Sequence, residues 1–254
     1  MTKRVNSDFI SQNPSSAANI INEANDYREK INSIGAQNIK TSMEKLVNLE
    51  FAHRIALSVI WSIVKKSSKP GKSNESISDR LTLIASFIQG IEITEGAINK
   101  GLYPQAATLL KQELETLAAI DEVKRGKRKD GVTPKVKFGN VSWNLNIQYG
   151  PLNELAHVSV RDILNVLYNG KFDDVIGDAI PVSVLPIYNQ EASLRLYTLH
   201  VSFLIQLIGL MNELHLEQYG ISYLFEEEQM TMDAIGILER EGLIKKLRKK
   251  ETDK

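Results

Sequence analysis

Glu154 and His157 stand one helical turn apart at the start of a predicted helix, and their types and spacing are suited to chemistry. Pro151 precedes them and fits the first position of a helix, where its missing N–H is not needed. Residues three apart on a helix are neighbours, so the carboxylate can hydrogen-bond the imidazole or share a ligand with it. The pair predicts either a general-base site, with Glu154 orienting His157, or a packing network between helices.

The same Glu-x-x-His spacing occurs a second time, at Glu50 and His53. Two such motifs, with one further Glu from each of two other helices, form the di-iron or di-manganese site of ferritin-like bundles. The extra ligands could come from Glu23 or Glu29 and from Glu113 or Glu115. Glu154 lies in the first turn of its helix, however, whereas bridging carboxylates lie deep inside a bundle. We therefore expect no metal and no other cofactor, with Glu50, His53, Glu154 and His157 as the alternative metal set.

Arg195 and His200 form an Arg-x-x-x-x-His spacing. It resembles the catalytic signature of HEPN-type ribonucleases, helical bundles in which dimerisation brings two such pairs together over RNA. The resemblance implies an RNA-cleaving site. The chain departs from the signature because Leu196, rather than a small polar residue, follows the arginine. On a continuous helix the two side chains diverge by about 140°, so the alternative is one exposed arginine and one histidine at the edge of the core.

Three segments, 101–121, 149–159 and the apolar helix from Gln190, occur in an order that resembles bacterial all-helical proteins of unknown function, HEPN-like in style. That resemblance implies a basic residue and a glutamate four apart on one helix, with a tyrosine, a glutamate and a histidine on the next. The corresponding candidates in this sequence are Lys111, Glu115, Tyr149, Glu154 and His157. A lysine stands where an arginine is usual, which removes a bidentate fork for phosphate.

Basic residues are concentrated in the segment 124–137, although the formal net charge of the chain is zero. Arg125, Lys127 and Arg128 are its candidate RNA-binding residues, because clustered cations attract phosphates. The alternative is a solvated loop, and no aromatic residues interleave with the cations as stacking on single strands would require. Nucleic acid therefore stays a candidate partner beside a protein partner or a second copy of the chain.

Composition indicates a cytoplasmic protein without a membrane span. The chain contains no cysteine, and its first sixteen residues are too polar for a signal peptide. The segment 196–212 lacks Asp, Glu, Lys and Arg, but it is shorter than the roughly 20 apolar residues of a spanning helix. Its histidine, glutamine and asparagine favour a central helix of a bundle.

Apolar residues recur at three and four positions through most of the chain, which predicts a mainly α fold, a multi-helix bundle of about seven helices. Two of the predicted helices are separated at 33–40. Alternation at 141–149, and the segment 180–187 with its two prolines, indicate at most one short strand or hairpin. We expect one helical-bundle domain over 1–220 and a C-terminal helical arm over 221–254.

These observations favour an interaction or scaffold module, in a bacterial defence or stress system as the resemblance implies. The first alternative is a HEPN-like protein that cleaves RNA or binds a nucleotide. The second is a di-metal carboxylate bundle. Whether the protein is an enzyme is left open by the sequence.

Overall fold

A computed structural model of the chain describes residues 14–136, 152–156, 184–222 and 225–244. Within these ranges the backbone forms six long helices, a short helical segment at 152–156, and no strand. The helices are α1 (Pro14–Lys45), α2 (Val47–Lys66), α3 (Glu75–Asn99), α4 (Tyr103–Lys124), α5 (Gln190–Tyr219) and α6 (Phe225–Arg240). The predicted mainly α bundle is therefore confirmed.

Helix α5 is the centre of the bundle, because α2, α3 and α4 all pack against it. Its core residues come from nearly all sides of the helix, and Val201, Phe203, Leu204 and Leu207 have no exposed surface. By length and composition alone, α2, α3 and α5 are each apolar enough to cross a membrane. In α5, 67% of the most apolar stretch is buried inside the bundle, so its apolar character is matched by protein neighbours.

The predicted interruption at 33–40 is wrong, because α1 continues through it and ends only at Lys45. Gly35 and Asn38 lie in this segment, and both make tertiary contacts. Asn38 is buried and donates a hydrogen bond to the carbonyl of Lys100 (3.0 Å). Gly35 faces the aliphatic stem of the same lysine. Contacts with the turn between α3 and α4 thus outweigh the weak helix propensity of these residues.

The ends of α3 and α5 are set by residues within one turn of the chain. The Asn74 side chain accepts from the N–H of Ile77 (2.8 Å) and caps α3, and Asn189 caps α5 in the same way. Helix α5 ends at Tyr219, and Gly220 caps it with a φ of +73°. The described part of the predicted strand at 180–187, residues 184–187, is irregular, which suits a segment containing Pro186. The other strand candidate, 141–149, lies outside the described residues.

Helix α6 packs along α2 and is attached at both ends. The buried Glu227 carboxylate accepts from the Ser62 hydroxyl (2.6 Å) and from Lys66. At the other end, Asn48 donates to Glu241 (2.7 Å). The assignment of 221–254 as a separate arm stays a prediction.

The buried Tyr103 hydroxyl ties the start of α4 to the start of α5. It donates to the Asn189 carbonyl (3.0 Å), accepts from the Asn189 N–H (2.6 Å) and lies 2.9 Å from the Ser193 hydroxyl. We expect Tyr103→Phe to lower the free energy of unfolding by about 1–3 kcal/mol, because buried polar partners would be left unpaired. Urea denaturation measures this loss. Tyr27→Phe, at an exposed tyrosine of α1, is the control and should stay within about 0.5 kcal/mol of the parent protein.

Candidate functional site

Four helices bring polar side chains together inside the apolar core. Helix α2 contributes His53, α3 contributes Glu95, α4 contributes Glu113, and α5 contributes Tyr197 and His200. The two imidazoles stack with their ring centres 5.2 Å apart, and the tyrosine ring lies 5.6 Å from His53. We call these five residues the core polar cluster.

The His200–Glu113 pair is the most deeply buried part of the cluster. His200 is fully buried and Glu113 is 4% exposed. Nδ1 of the imidazole lies 3.0 Å from Oε2 of the carboxylate. With the carboxylate as acceptor, Nδ1 carries the proton and the hydrogen bond joins α5 to α4. A glutamate this deeply buried is rarely found without a partner. The hydrogen bond to His200 therefore offsets part of the free-energy cost of burying Glu113 between α4 and α5.

The His53 side of the cluster reaches toward the surface through Glu95. The Tyr197 hydroxyl donates to Oε1 of Glu95 (2.8 Å), and the same oxygen lies 3.5 Å from Nδ1 of His53. Burial, reinforced by His200 and Arg54, lowers the pKa of His53 to about 3. Burial and the Glu95 carboxylate raise the pKa of Tyr197. The imidazole and the phenol are therefore neutral at pH 7.

Three polar atoms of the cluster have no hydrogen-bond partner in the part of the chain that the structure describes. They are Nε2 of His53, Nε2 of His200 and Oε1 of Glu113. A buried polar atom without a hydrogen-bond partner costs free energy. His53 is 2% exposed and His200 has no exposed surface, so dissolved substrates do not reach either ring. The arrangement can fix helix packing and respond to protonation.

The two residues of the Arg-x-x-x-x-His spacing do not meet. The Arg195 side chain is 75% exposed and pairs with Glu191 (2.6 Å), one turn earlier on α5. His200 points into the core toward Glu113. This divergence is the one expected for a continuous helix. Arg195 and His200 therefore form no shared exposed site within this chain.

The described members of the alternative metal-ligand set, Glu50, His53 and Glu154, are not placed together to hold a metal ion. Glu50 accepts from Arg54 at the surface of α2, whereas His53 stacks on His200. Glu154 is exposed on the segment 152–156, which is anchored by the buried Leu152. His157 and Tyr149 lie outside the described residues. Among the residues that are described, no group of three or more His, Cys, Asp or Glu side chains is placed to hold a metal ion.

Lys111 and Glu115 lie one turn apart on α4 and are half-buried. Glu113, between them in sequence, is on the opposite side of the helix and enters the core polar cluster.

The basic residues Arg125 and Lys127 are exposed after the end of α4, and Arg128 is half-buried beside them. Residues 125–136 form turns and irregular backbone, which agrees with the alternative of a solvated loop for the described part of the basic segment.

The predicted motifs put His53 and His200 in two unrelated sites and included neither Glu95 nor Tyr197. A signal for the cluster was present. Glu113 continues the apolar spacing of Leu110 and Leu117 on α4, and the histidines likewise lie on the buried stripes of α2 and α5. A polar residue on an apolar stripe needs a polar partner across the helix interface.

No protein-family model matches the chain, and neither a curated protein nor a solved structure shows significant similarity to it.

Proposed function

We propose that the protein is an interaction module that holds an amphipathic helix of a protein partner in a groove between α2 and α3. The observation that carries the proposal is the arrangement of three helices. Helices α2 and α3 each pack extensively against α5, whereas contact between α2 and α3 is slight and includes the approach of His53 to Glu95 (3.5 Å). They form two walls, and α5 forms the floor. A trough of this kind has the shape that accepts a further helix.

The lining of the groove is apolar and uncharged. The cavity has a volume of about 360 Å³. Val64 comes from α2, Ile84 and Ile88 come from α3, and Met211 and Leu214 come from α5. No Asp, Glu, Lys or Arg is among its lining residues. The flexible Met211 side chain on the groove floor can adapt to the apolar anchors of a partner.

Two large apolar side chains at the groove remain in contact with solvent. Trp61 is 58% exposed and Leu81 is 41% exposed. Tryptophan is enriched among the residues that dominate binding energy at protein interfaces. An exposed tryptophan beside an apolar depression is therefore the feature expected of a docking surface.

The polar residues at one end of the groove fit the same type of partner. Burial, with a smaller effect of Lys66, lowers the pKa of His215, so its ring is neutral at pH 7. His215 contacts the Ser67 hydroxyl (3.2 Å), and Gln218 lies beside it. Neutral hydrogen-bonding groups around an uncharged floor suit a partner helix with an apolar stripe and uncharged flanks. We expect its anchors at positions i, i+3, i+4 and i+7.

The outer face of α3 carries polar residues, which favour contact of this face with water rather than with lipid. This supports a partner that is dissolved in water. Asp79, Thr82, Ser86 and Glu92 are all exposed on this helix, and side chains of these types are costly in contact with hydrocarbon. We accordingly propose a water-exposed bundle in the cytoplasm. The absence of cysteine suits the reducing conditions of that compartment. The bacterial defence or stress setting rests on the sequence resemblance alone.

Leu81→Lys tests the groove, because it puts a charge at the rim without disturbing the core. The chain has two tryptophans, so Trp143→Phe leaves Trp61 as the single reporter. A phage library of helical peptides with randomised apolar positions is panned on this protein. We expect selected peptides with i, i+3, i+4, i+7 apolar spacing, a blue shift of Trp61 emission, and affinity at least tenfold weaker for Leu81→Lys.

The matched control is Ile93→Lys, which changes another exposed apolar residue of α3 outside the groove. It should leave peptide affinity within about twofold. Peptides that bind Leu81→Lys as well as the parent would contradict the proposal. So would a dimer in analytical ultracentrifugation that Leu81→Lys dissociates, because the groove would then hold a second copy of the chain.

A further inference from the structure

The chain after α4 folds back on the last turn of that helix and encloses a second pocket, of about 480 Å³. Gly126 ends the helix with a φ of +63°. The N–H of Lys127 then donates to the carbonyl of Glu122 (2.8 Å), and the N–H of Gly126 to that of Val123 (3.0 Å). This pair of bonds is the Schellman arrangement. It turns the chain sharply and starts the pocket wall.

Glu122 holds the far side of the loop. Its carboxylate accepts from the backbone N–H of Lys135 (2.8 Å), thirteen residues further along the chain, and lies 3.6 Å from Arg128. Arg128 also donates to the carbonyl of Val132 (2.6 Å). These bonds tie the two ends of the loop together, so the pocket is fixed by hydrogen bonds of its own residues.

The charges that line the pocket do not balance. Its two carboxylates, Asp121 and Glu122, are each paired with an arginine, Arg125 at 3.0 Å and Arg128 at 3.6 Å. Three further cations also line the pocket and are exposed: Lys127, Lys129 and Lys135. Within the described ranges none of these three makes an ion pair. Five cations against two carboxylates leave the lining with a net charge of +3.

We infer that this pocket, which lies outside the groove, binds a compact polyphosphate group, either free or at the end of a nucleotide. Three lysine ammonium groups around one concavity present movable point charges, which suit the closely spaced charges of a di- or triphosphate. Thr133 adds a hydroxyl donor. The volume lies within the usual range for small-molecule sites, roughly 300–1,000 Å³.

The lining also indicates what the pocket does not recognise. None of its nine described lining residues is aromatic, so a base finds no ring to stack on. Recognition therefore falls on the phosphates, and inorganic triphosphate and ATP should bind with affinities within about threefold of each other. An extended nucleic acid spreads its charges along a backbone and uses this compact cluster less well.

Isothermal titration calorimetry at 50 mM salt with inorganic triphosphate, ATP and a twelve-nucleotide single-stranded RNA distinguishes these ligands. We expect triphosphate and ATP to bind with similar affinity and the RNA at least tenfold more weakly. Lys127→Ala and Lys135→Ala should each weaken triphosphate binding about fivefold or more. Raising the salt to 200 mM should weaken it further.

Lys65→Ala is the matched control, because it removes an exposed lysine of α2 away from the pocket, and it should leave triphosphate affinity unchanged. No heat of binding at 1 mM triphosphate would overturn the inference. Equal affinity of the parent and the Lys127→Ala Lys135→Ala double variant would do the same. Tighter binding of RNA than of triphosphate would assign the basic loop to nucleic acid instead. None of these results depends on the groove.

Discussion

Glu113→Ala is expected to lower the free energy of unfolding by about 2–4 kcal/mol. Glu113 is 4% exposed and its carboxylate is the hydrogen-bond partner of the fully buried His200. Removing it leaves the imidazole Nδ1 without a partner, which costs about 1–3 kcal/mol. The truncation also leaves a cavity between α4 and α5, and lost packing adds to the cost.

Two further variants separate the hydrogen bond from the general effect of mutation. Glu113→Gln keeps the shape and one oxygen acceptor, so it should cost about 1 kcal/mol, less than alanine. Gln112→Ala changes the exposed neighbour on α4 and should stay within about 0.5 kcal/mol of the parent. Urea denaturation gives all three values, provided that the m-value is unchanged. A Glu113→Ala protein as stable as Gln112→Ala would mean that the core polar cluster does not stabilise the bundle.

The sequence predicted which faces are buried more reliably than which residues meet. Periodicity is a local property, and it correctly indicated the apolar stripes of α2, α4 and α5. The pairing of His53 with His200 depends on how α2 lies against α5, and these residues are far apart in the chain. No local spacing contains that relation. The two histidines were therefore assigned to a metal motif and a nuclease motif, when the structure makes them one stack.

Local signals also failed where tertiary contacts decide the backbone. Gly35 and Asn38 have low helix propensity, yet the contacts of both with Lys100 keep α1 continuous. The groove was missed for a similar reason. Its existence depends on α2 and α3 packing mainly on α5 and only slightly on each other, which no single helix pattern reveals. Gly220 and Pro104, in contrast, act within one turn of the chain: Gly220 follows α5 in the left-handed conformation, and Pro104 lies in the first turn of α4.

The core polar cluster and the groove share two helices. His53 and Val64 are separated by about three turns of α2, and His200 and Met211 by about three turns of α5. His53 lies beside His200, and Val64 and Met211, each further along its helix, line the same groove. Helices α2 and α5 are therefore parallel. The hydrogen bonds and the ring stack at His53 and His200 therefore help to set the position of the groove wall relative to its floor. We therefore expect loss of the cluster to weaken the proposed binding of a partner helix in the groove as well as the stability of the bundle.

Acid should destabilise the protein through His53. Burial, His200 and Arg54 lower its pKa to about 3 in the folded state, whereas the unfolded chain protonates near pH 6.5. Above pH 6.5 the ring is neutral in both states and contributes no pH dependence. Below it only the unfolded state gains a proton, so stability falls by about 1.4 kcal/mol per pH unit until the pH approaches 3. At pH 5 the loss from this residue is about 2 kcal/mol.

His53→Gln removes the titrating group while keeping a polar side chain beside Glu95. The free energy of unfolding, measured by urea at pH 7.5 and pH 5.0, should decrease by about 2 kcal/mol less in this variant than in the parent. Taking the difference between the two proteins cancels the titration of His215 and of the carboxylates. The imidazole NMR signals of His53 should also show no titration down to pH 5. A midpoint near 6.5 would mean that the folded protein admits the proton, and the stack with His200 would then have to open to accept it.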